Sequence, residues 1–131
     1  MARVLVCFLV LASFWIAAPQ ESKSRPSGDI EVSEVTARRA EGKILVDVWL
    51  RNCGDKPVTG LKIQVDFVAP DKKVMTRRTG PSEITDLDPG DDTSFHAYIH
   101  DNPRSVWVRI GATDKKRGEL RVLNEGFFPI E

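Results

Sequence analysis

The chain has 131 residues, which is enough for one domain with a buried core and too few for two. Lys and Arg together number 19, and Asp and Glu also number 19, so the formal net charge is +0. This balance excludes a protein that gathers nucleic acid through a global basic field.

The N-terminal segment has the composition of an export signal. Met1-Ala2-Arg3 carries one positive charge, and the run from Val4 to Ala18 is apolar except for Ser13. A run of about 15 residues fits a signal peptide better than a membrane-spanning helix, which needs roughly 20. We therefore expect a signal peptide over residues 1–22, cleaved a few residues after Ala18, then a polar linker over 23–29. The protein would be extracytoplasmic, either secreted or periplasmic. The alternative is an uncleaved anchor, which would make the chain a membrane-tethered accessory domain.

The two cysteines are not expected to pair with each other. Cys7 lies inside the predicted leader, and removal of the leader leaves Cys53 alone. A single thiol in an exported chain indicates either a free cysteine or an intermolecular disulfide. We therefore predict no internal disulfide and name a dimer linked through Cys53 as one outcome.

From Ile30 onward, short runs of alternating apolar and polar residues are separated by turn-forming residues. In the second run, Ile44, Val46, Val48 and Leu50 share an uncharged face, which predicts a strand with one buried side. Glu41-Gly42 predicts a hairpin turn, and Asp88-Pro89-Gly90-Asp91 predicts a type II turn. Strands are predicted over 30–37, 43–51, 58–67, 74–78, 83–87, 93–100 and 106–110, with 74–78 at a sheet edge and a further edge strand at 119–123.

No run of any length has a helical period. Regular short strands with turns between them are typical of an antiparallel β-sandwich. The predicted fold class is therefore all-β, an immunoglobulin-like sandwich of about seven strands over residues 30–131. Phe127 and Phe128 are expected to pack back onto this sandwich.

The order of these signals resembles a bacterial extracytoplasmic β-sandwich, the FxLYD domain. The resemblance rests on a strand ending in Asn52-x-Gly54, on Phe67 followed by Asp71, and on Leu87-x-Pro89-Gly90 leading to Phe95. Ala69-Pro70 stands where the family motif has Leu-Tyr. The resemblance implies a non-catalytic module of largely unassigned function, and it implies no site residues.

Catalytic and metal-binding patterns are weak in this sequence. His96 and His100 lie on one face of a predicted strand, but they would stand about 13 Å apart, too far to share one zinc ion. The aspartates at 86, 88, 91 and 92 surround a turn without EF-hand spacing, so we interpret them as turn residues and keep calcium as an alternative. There is no Gly-x-Ser-x-Gly elbow for a nucleophile. We predict no catalytic residue, no metal ligand and no cofactor.

The better candidate is a contact surface. If the strands follow immunoglobulin order, the third, sixth and seventh share a sheet, and their outward side chains combine aromatic, histidine and arginine residues of the types enriched at binding hot spots. This predicted contact face contains Lys62, Gln64, Asp66, His96, Tyr98, His100, Trp107 and Arg109.

A purely structural role is the other interpretation of this surface. Trp107 would then pair with Tyr98 across strands or lie beneath Phe127 and Phe128. Trp49 is expected to point outward on the opposite sheet.

The sequence thus predicts an exported, non-catalytic module that binds a protein partner or has a structural role. A metal-dependent or hydrolytic secreted enzyme is the alternative.

Overall fold

A computed structural model describes residues 28–131, and the predicted signal peptide, Cys7 and most of the linker lie outside this range. The strands are β1 (Ile30–Ala40), β2 (Lys43–Asn52), β3 (Lys62–Val68), β4 (Val74–Pro81), β5 (Asp92–His100), β6 (Trp107–Asp114), β7 (Gly118–Glu119), β8 (Val122–Leu123) and β9 (Phe128–Pro129). They form a four-stranded sheet in the order β5-β2-β1-β8 and a five-stranded sheet in the order β4-β3-β6-β7, with β9 also paired to β6. The all-β fold class is confirmed.

The core lies between the inner faces of the two sheets. The uncharged face of β2 is buried as predicted, with Ile44, Val46, Val48 and Leu50 at most 1% exposed. Fully buried side chains of β3 face them from the other sheet, among them Phe67. In both strands the buried positions alternate with positions on the outer side of the sheet, as expected where two sheets pack through their inner faces.

The predicted tight turns are present. Glu41 and Gly42 have φ angles of 53° and 76°, the left-handed pair that joins antiparallel strands through a two-residue turn. In the second turn the Asp91 N–H donates to the Asp88 carbonyl at 2.9 Å, and Gly90 has a φ of 92°, as a type II turn requires. Glycine is needed at that position because side chains disfavour a positive φ.

The predicted strand over 83–87 is wrong. This segment forms no strand: its β-pairing is an isolated bridge between Leu87 and Val58, and its other backbone hydrogen bonds are single contacts. Of its two large apolar residues, Leu87 is buried whereas Ile84 is 54% exposed, so the segment has no continuous inward face. The consequence is a change in strand count: the run over 93–100 is the fifth strand of the chain, and it pairs with β2 rather than with β3 or β6.

The C-terminal segment closes the sandwich with three very short strands. β8 pairs in parallel with β1, whereas β7 and β9 pair with β6, so the predicted edge strand at 119–123 is divided between the two sheets. Phe128 packs against the core, which confirms part of the prediction for this segment. β4 lies at a sheet edge, as predicted. The described range contains no helix long and apolar enough to cross a membrane.

Candidate functional site

The predicted contact face is divided between the two sheets, so the prediction of one continuous surface is wrong. His96, Tyr98 and His100 lie on β5 in the four-stranded sheet. Lys62, Gln64 and Asp66 lie on β3, and Trp107 and Arg109 on β6, in the five-stranded sheet. The cause is that residues 83–87 form no strand. The runs over 93–100 and 106–110 are therefore the fifth and sixth strands rather than the sixth and seventh, and their places in the assumed immunoglobulin order were wrong.

The outer side of the four-stranded sheet brings Trp49 next to the β5 residues. Tyr98 is 58% exposed and Trp49 is 40% exposed. The Trp49 and His96 rings meet edge to face, with centroids 6.2 Å apart and an interplanar angle of 88°. The Lys43 ammonium lies 4.8 Å from the centre of the Tyr98 ring. We call these outward side chains the exposed aromatic face, which consists of Lys43, Asp47, Trp49, His96 and Tyr98.

The centre of the exposed aromatic face is a histidine-carboxylate contact. Asp47 and His96 are direct cross-strand partners, and the His96 Nδ1 lies 2.6 Å from the Asp47 Oδ1. An ionised carboxylate only accepts hydrogen bonds, so Nδ1 carries the hydrogen. This contact fixes the tautomer of a neutral His96 ring, whose Nε2 is then an acceptor. The imidazole therefore presents a fixed polar group between two exposed aromatic rings.

The outer side of the five-stranded sheet is organised around a buried carboxylate. Asp66 is 1% exposed although it stands at an outward position of β3. Its direct partners on the two neighbouring strands are Arg77 and Arg109. The Arg77 Nε donates to the Asp66 Oδ1 at 2.7 Å, and the Arg109 Nη2 donates to the Oδ2 at 3.0 Å. The carboxylate raises the pKa of the Arg77 guanidinium, through the hydrogen bond first and the charge second.

The aromatic residues on this side contact each other and basic side chains. Trp107 is half-buried, and its ring centroid lies 5.6 Å from that of Phe127. The Lys72 ammonium lies 5.1 Å from the centre of the Phe127 ring, and the Arg109 guanidinium lies 5.8 Å from it. The structural interpretation of Trp107, contact with the C-terminal phenylalanines, is therefore confirmed for Phe127. Its pairing with Tyr98 is wrong, because Tyr98 is on the other sheet.

The remaining predicted contact residues lie apart from these clusters. Lys62 is exposed at the beginning of β3. Gln64 is half-buried beside Gly111, its direct partner on β6. His100 is exposed at the end of β5 and is the cross-strand partner of Lys43.

No group of three or more His, Cys, Asp or Glu residues in the described part of the chain is arranged to hold a metal ion. In the aspartate-rich turn, the Asp86 Oδ1 accepts a hydrogen bond from the Gly60 N–H at 3.0 Å. The Asp91 Oδ2 accepts one from the Asp88 N–H, also at 3.0 Å. These contacts are those of turn-stabilising aspartates. Calcium binding in this turn stays an untested alternative.

Cys53 is a free, exposed cysteine in the loop after β2. Its Sγ lies 3.7 Å from the Gly28 carbonyl oxygen. Partial burial raises the pKa of the thiol, and the nearby Glu31 carboxylate raises it further. Since the thiolate is the nucleophile, this environment gives Cys53 no activation.

Comparisons with known proteins identify no family. No protein-family model matches the chain, and no curated protein matches it, so the resemblance to the FxLYD domain stays a prediction.

Several solved structures contain a region of similar shape. The alkylpurine DNA glycosylase AlkC of Pseudomonas fluorescens aligns over 81% of this chain and 31% of its own, at 10% identity and a TM-score of 0.43. A β-glucosidase from Kluyveromyces marxianus covers 80% of this chain and 15% of its own, at 17% identity and a TM-score of 0.38. An exo-β-N-acetylglucosaminidase from Vibrio harveyi covers 79% and 17%, at 12% identity and a TM-score of 0.39. The chain thus spans less than a third of each of these proteins. Similarity at this level carries no statement about function.

Proposed function

We propose that this protein is an exported, non-catalytic β-sandwich module that binds a partner protein through the exposed aromatic face. The observation that carries the proposal is the adjacency of exposed Trp49, His96 and Tyr98 on two paired strands. Tryptophan and tyrosine are enriched at hot spots of protein interfaces because each contributes a large, rigid apolar surface with a polar group.

The pairing of β2 with β5 supports this proposal. These strands are in register over nine residue pairs, from Lys43 with His100 to Arg51 with Asp92. Side chains on two such strands are held in fixed relative positions, so a partner would meet an ordered surface and lose little entropy in ordering it. The Lys43 ammonium and the Asp47 carboxylate add one charge of each sign, which would orient a partner.

The location of the protein follows from the N-terminal composition and is part of the proposal. An apolar segment of signal-peptide length precedes the sandwich. Mass analysis of the N-terminus in exported material is the direct test: a start a few residues beyond Ala18 is expected, whereas a start at Met1 would favour the membrane-tethered alternative.

The binding test compares two tryptophan substitutions, one in each sheet. The purified chain, Trp49→Ala and Trp107→Ala would each be used to capture proteins from the extracytoplasmic compartment. We expect Trp49→Ala to reduce recovery of a specific partner at least tenfold, and Trp107→Ala to leave it unchanged, because only Trp49 belongs to the exposed aromatic face. The opposite pattern would move the contact surface to the five-stranded sheet, and equal recovery with all three chains would reject the proposed face.

The capture should be run with and without a reductant, because Cys53 is exposed. A partner or dimer that is recovered only without reductant would be linked through the Cys53 sulfur. Recovery that is the same in both conditions assigns the interaction to non-covalent contacts.

A further inference from the structure

The outer edge of β5 carries backbone groups directed away from the sheet. β5 pairs only with β2 among residues 28–131, so one side of it is an edge. At its two ends, the Asp101 N–H donates to the Gly42 carbonyl and the Asn52 N–H donates to the Asp91 carbonyl, each at 2.9 Å. Odd-numbered positions therefore bond to β2. Since bonding alternates along an antiparallel strand, even-numbered positions direct their N–H and C=O groups to the free edge.

Part of this edge is already bonded within the chain. The Glu83 N–H donates to the Ser94 carbonyl at 2.8 Å, which agrees with the outward direction of even positions. The backbone N–H and C=O groups of His96, Tyr98 and His100 point to the free edge in the same way. These three residues of β5 can therefore bond to an added strand. In the described chain no other strand pairs with them.

A groove runs along this edge between the two sheets. One wall is formed by β5, from Phe95 to His100, and the other by Arg78, Thr79 and Gly80 of β4. Its volume is about 500 Å³. Arg78 and Gly80 pair with the buried residues Val65 and Ile63, so they occupy the inward side of β4 and face the groove. A Cβ at Gly80 would come within 3.2 Å of the Phe95 ring, so the absence of a side chain there keeps the groove open.

Among residues 28–131, Arg78 is the only lysine or arginine that lines the groove, and no aspartate or glutamate lines it. His96 and His100 line it as well, but the His96 ring is bonded to the Asp47 carboxylate on the outer side of the sheet. None of the ion pairs among residues 28–131 includes Arg78, whose guanidinium has only a 3.4 Å hydrogen bond to the Arg77 carbonyl. Asp101 lies at the far end, where Arg39 already pairs with it. An inward arginine without a carboxylate fits an acidic ligand.

We propose that β5 accepts an extended, acidic peptide segment of the partner protein as an added strand. The backbone of the segment would bond to His96, Tyr98 and His100, and its inward side chains would enter the groove, where a carboxylate pairs with Arg78. This mode of recognition takes affinity from main-chain bonds and specificity from alternate side chains. The inference rests on the proposed binding function but uses the edge of β5 rather than the ring faces of Trp49 and Tyr98.

The test uses synthetic peptides of about eight residues that alternate valine and glutamate, and a second set with lysine in place of glutamate. Fluorescence anisotropy with the purified chain is expected to show at least tenfold tighter binding of the glutamate peptide. Arg78→Gln should remove most of that preference. Equal binding of the two peptides, or no binding of either, would overturn the proposal.

Two substitutions at one position test the main-chain bonds. Tyr98→Pro removes the N–H directed to the free edge without removing a bond to β2, whereas Tyr98→Ala keeps the N–H and removes only the side chain. Proline is tolerated in edge strands when the lost N–H faces away from the sheet. We expect Tyr98→Pro to bind the glutamate peptide at least tenfold more weakly than Tyr98→Ala. Equal affinities would contradict strand addition.

A modified peptide provides the same test if Tyr98→Pro does not fold. N-methylation of the peptide at alternate positions removes either the donors that face β5 or the donors that face away. One of the two methylated peptides should lose binding and the other should keep it, while equal binding would reject an added strand.

The edge would belong to a second copy of the chain if no peptide binds and the chain dimerises with increasing concentration. Tyr98→Pro would then abolish this dimerisation. If neither peptide binds while Trp49→Ala still abolishes partner capture, the added strand is wrong and binding through the exposed aromatic face is retained.

Discussion

The outer surfaces of the two sheets use the same residue types in opposite ways. On the four-stranded sheet, Trp49 and Tyr98 are 40% and 58% exposed, and the Asp47 carboxylate pairs with exposed His96. On the five-stranded sheet, Trp107 contacts a C-terminal phenylalanine, and the carboxylate of Asp66 is enclosed by two arginines. The five-stranded sheet buries its carboxylate between charged partners, whereas the four-stranded sheet leaves both its carboxylate and its aromatic residues exposed.

The difference shows why residue type alone does not identify a binding surface. Tryptophan and arginine are hot-spot residues, but Arg77 and Arg109 already satisfy a carboxylate within the chain. A buried charge requires partners, so the contacts of Arg77 and Arg109 with Asp66 are explained by their contribution to the stability of the fold. Among residues 28–131, the aromatic rings of the four-stranded sheet's outer surface contact His96 and Lys43, one contact each. Function is therefore better sought on the four-stranded sheet.

The largest expected effect is the loss of unfolding free energy when the carboxylate of each surface is removed. Asp66→Ala removes hydrogen bonds to two arginines at a buried position, and we expect the free energy of unfolding to fall by about 2 kcal/mol. Asp47→Ala removes an exposed pair with His96, with a loss below about 1 kcal/mol. Urea denaturation of both variants measures the contrast. Equal losses of unfolding free energy in the two variants would contradict this difference between the two surfaces.

Sequence patterning predicted most of the fold because alternation reports burial directly. The alternation places Ile44, Val46 and Val48 on one inward face, and all three are buried. The segment 83–87 failed because five residues are too few to separate a strand from an extended loop. That error carried into the site, since the neighbours of β5 depend on strand order, which is a long-range property.

The site was predictable only in part for the same reason. Trp49 and Tyr98 could be identified as outward residues, but their shared surface requires the pairing of β2 with β5. Asp66 stands at an outward position and reads as a surface residue in the sequence. Its burial depends on arginines 11 and 43 residues away, which no local pattern connects to it.

The pH dependence of stability is expected to come from the five-stranded sheet. Asp114, at the end of β6, is buried, and burial alone would raise the pKa of its carboxyl group. The N–H groups of Thr59, Arg117 and Lys116, together with the Arg117 charge, outweigh that effect and lower the pKa below 3.8. The stabilisation is therefore fully present above pH 3.8 and is lost as the pH falls through the lower value of the folded state.

Asp114→Asn tests this expectation. We expect the variant to be less stable than the wild type by about 1.5 kcal/mol near neutral pH, and the difference to shrink below pH 3.8 as the wild-type carboxyl group becomes protonated. Thermal unfolding followed by circular dichroism across this pH range gives the measurement. Asp55→Asn, at an exposed loop position, is the matched control and should follow the wild type at every pH. A difference that stays constant with pH would assign the effect of Asp114 to packing.

The smallest expected effect concerns Cys53, in the loop that follows β2. Its raised pKa comes from partial burial first and from the Glu31 carboxylate second, so both reduce the thiolate fraction near neutral pH. Alkylation by iodoacetamide should therefore be slower in the folded chain than in urea, and Glu31→Gln should accelerate it by a factor below about ten. Glu34→Gln, on the same strand, should have no effect, because Glu34 is not among the groups that shift this thiol. If both glutamine variants react at the wild-type rate, the Glu31 carboxylate does not control the reactivity of the Cys53 thiol.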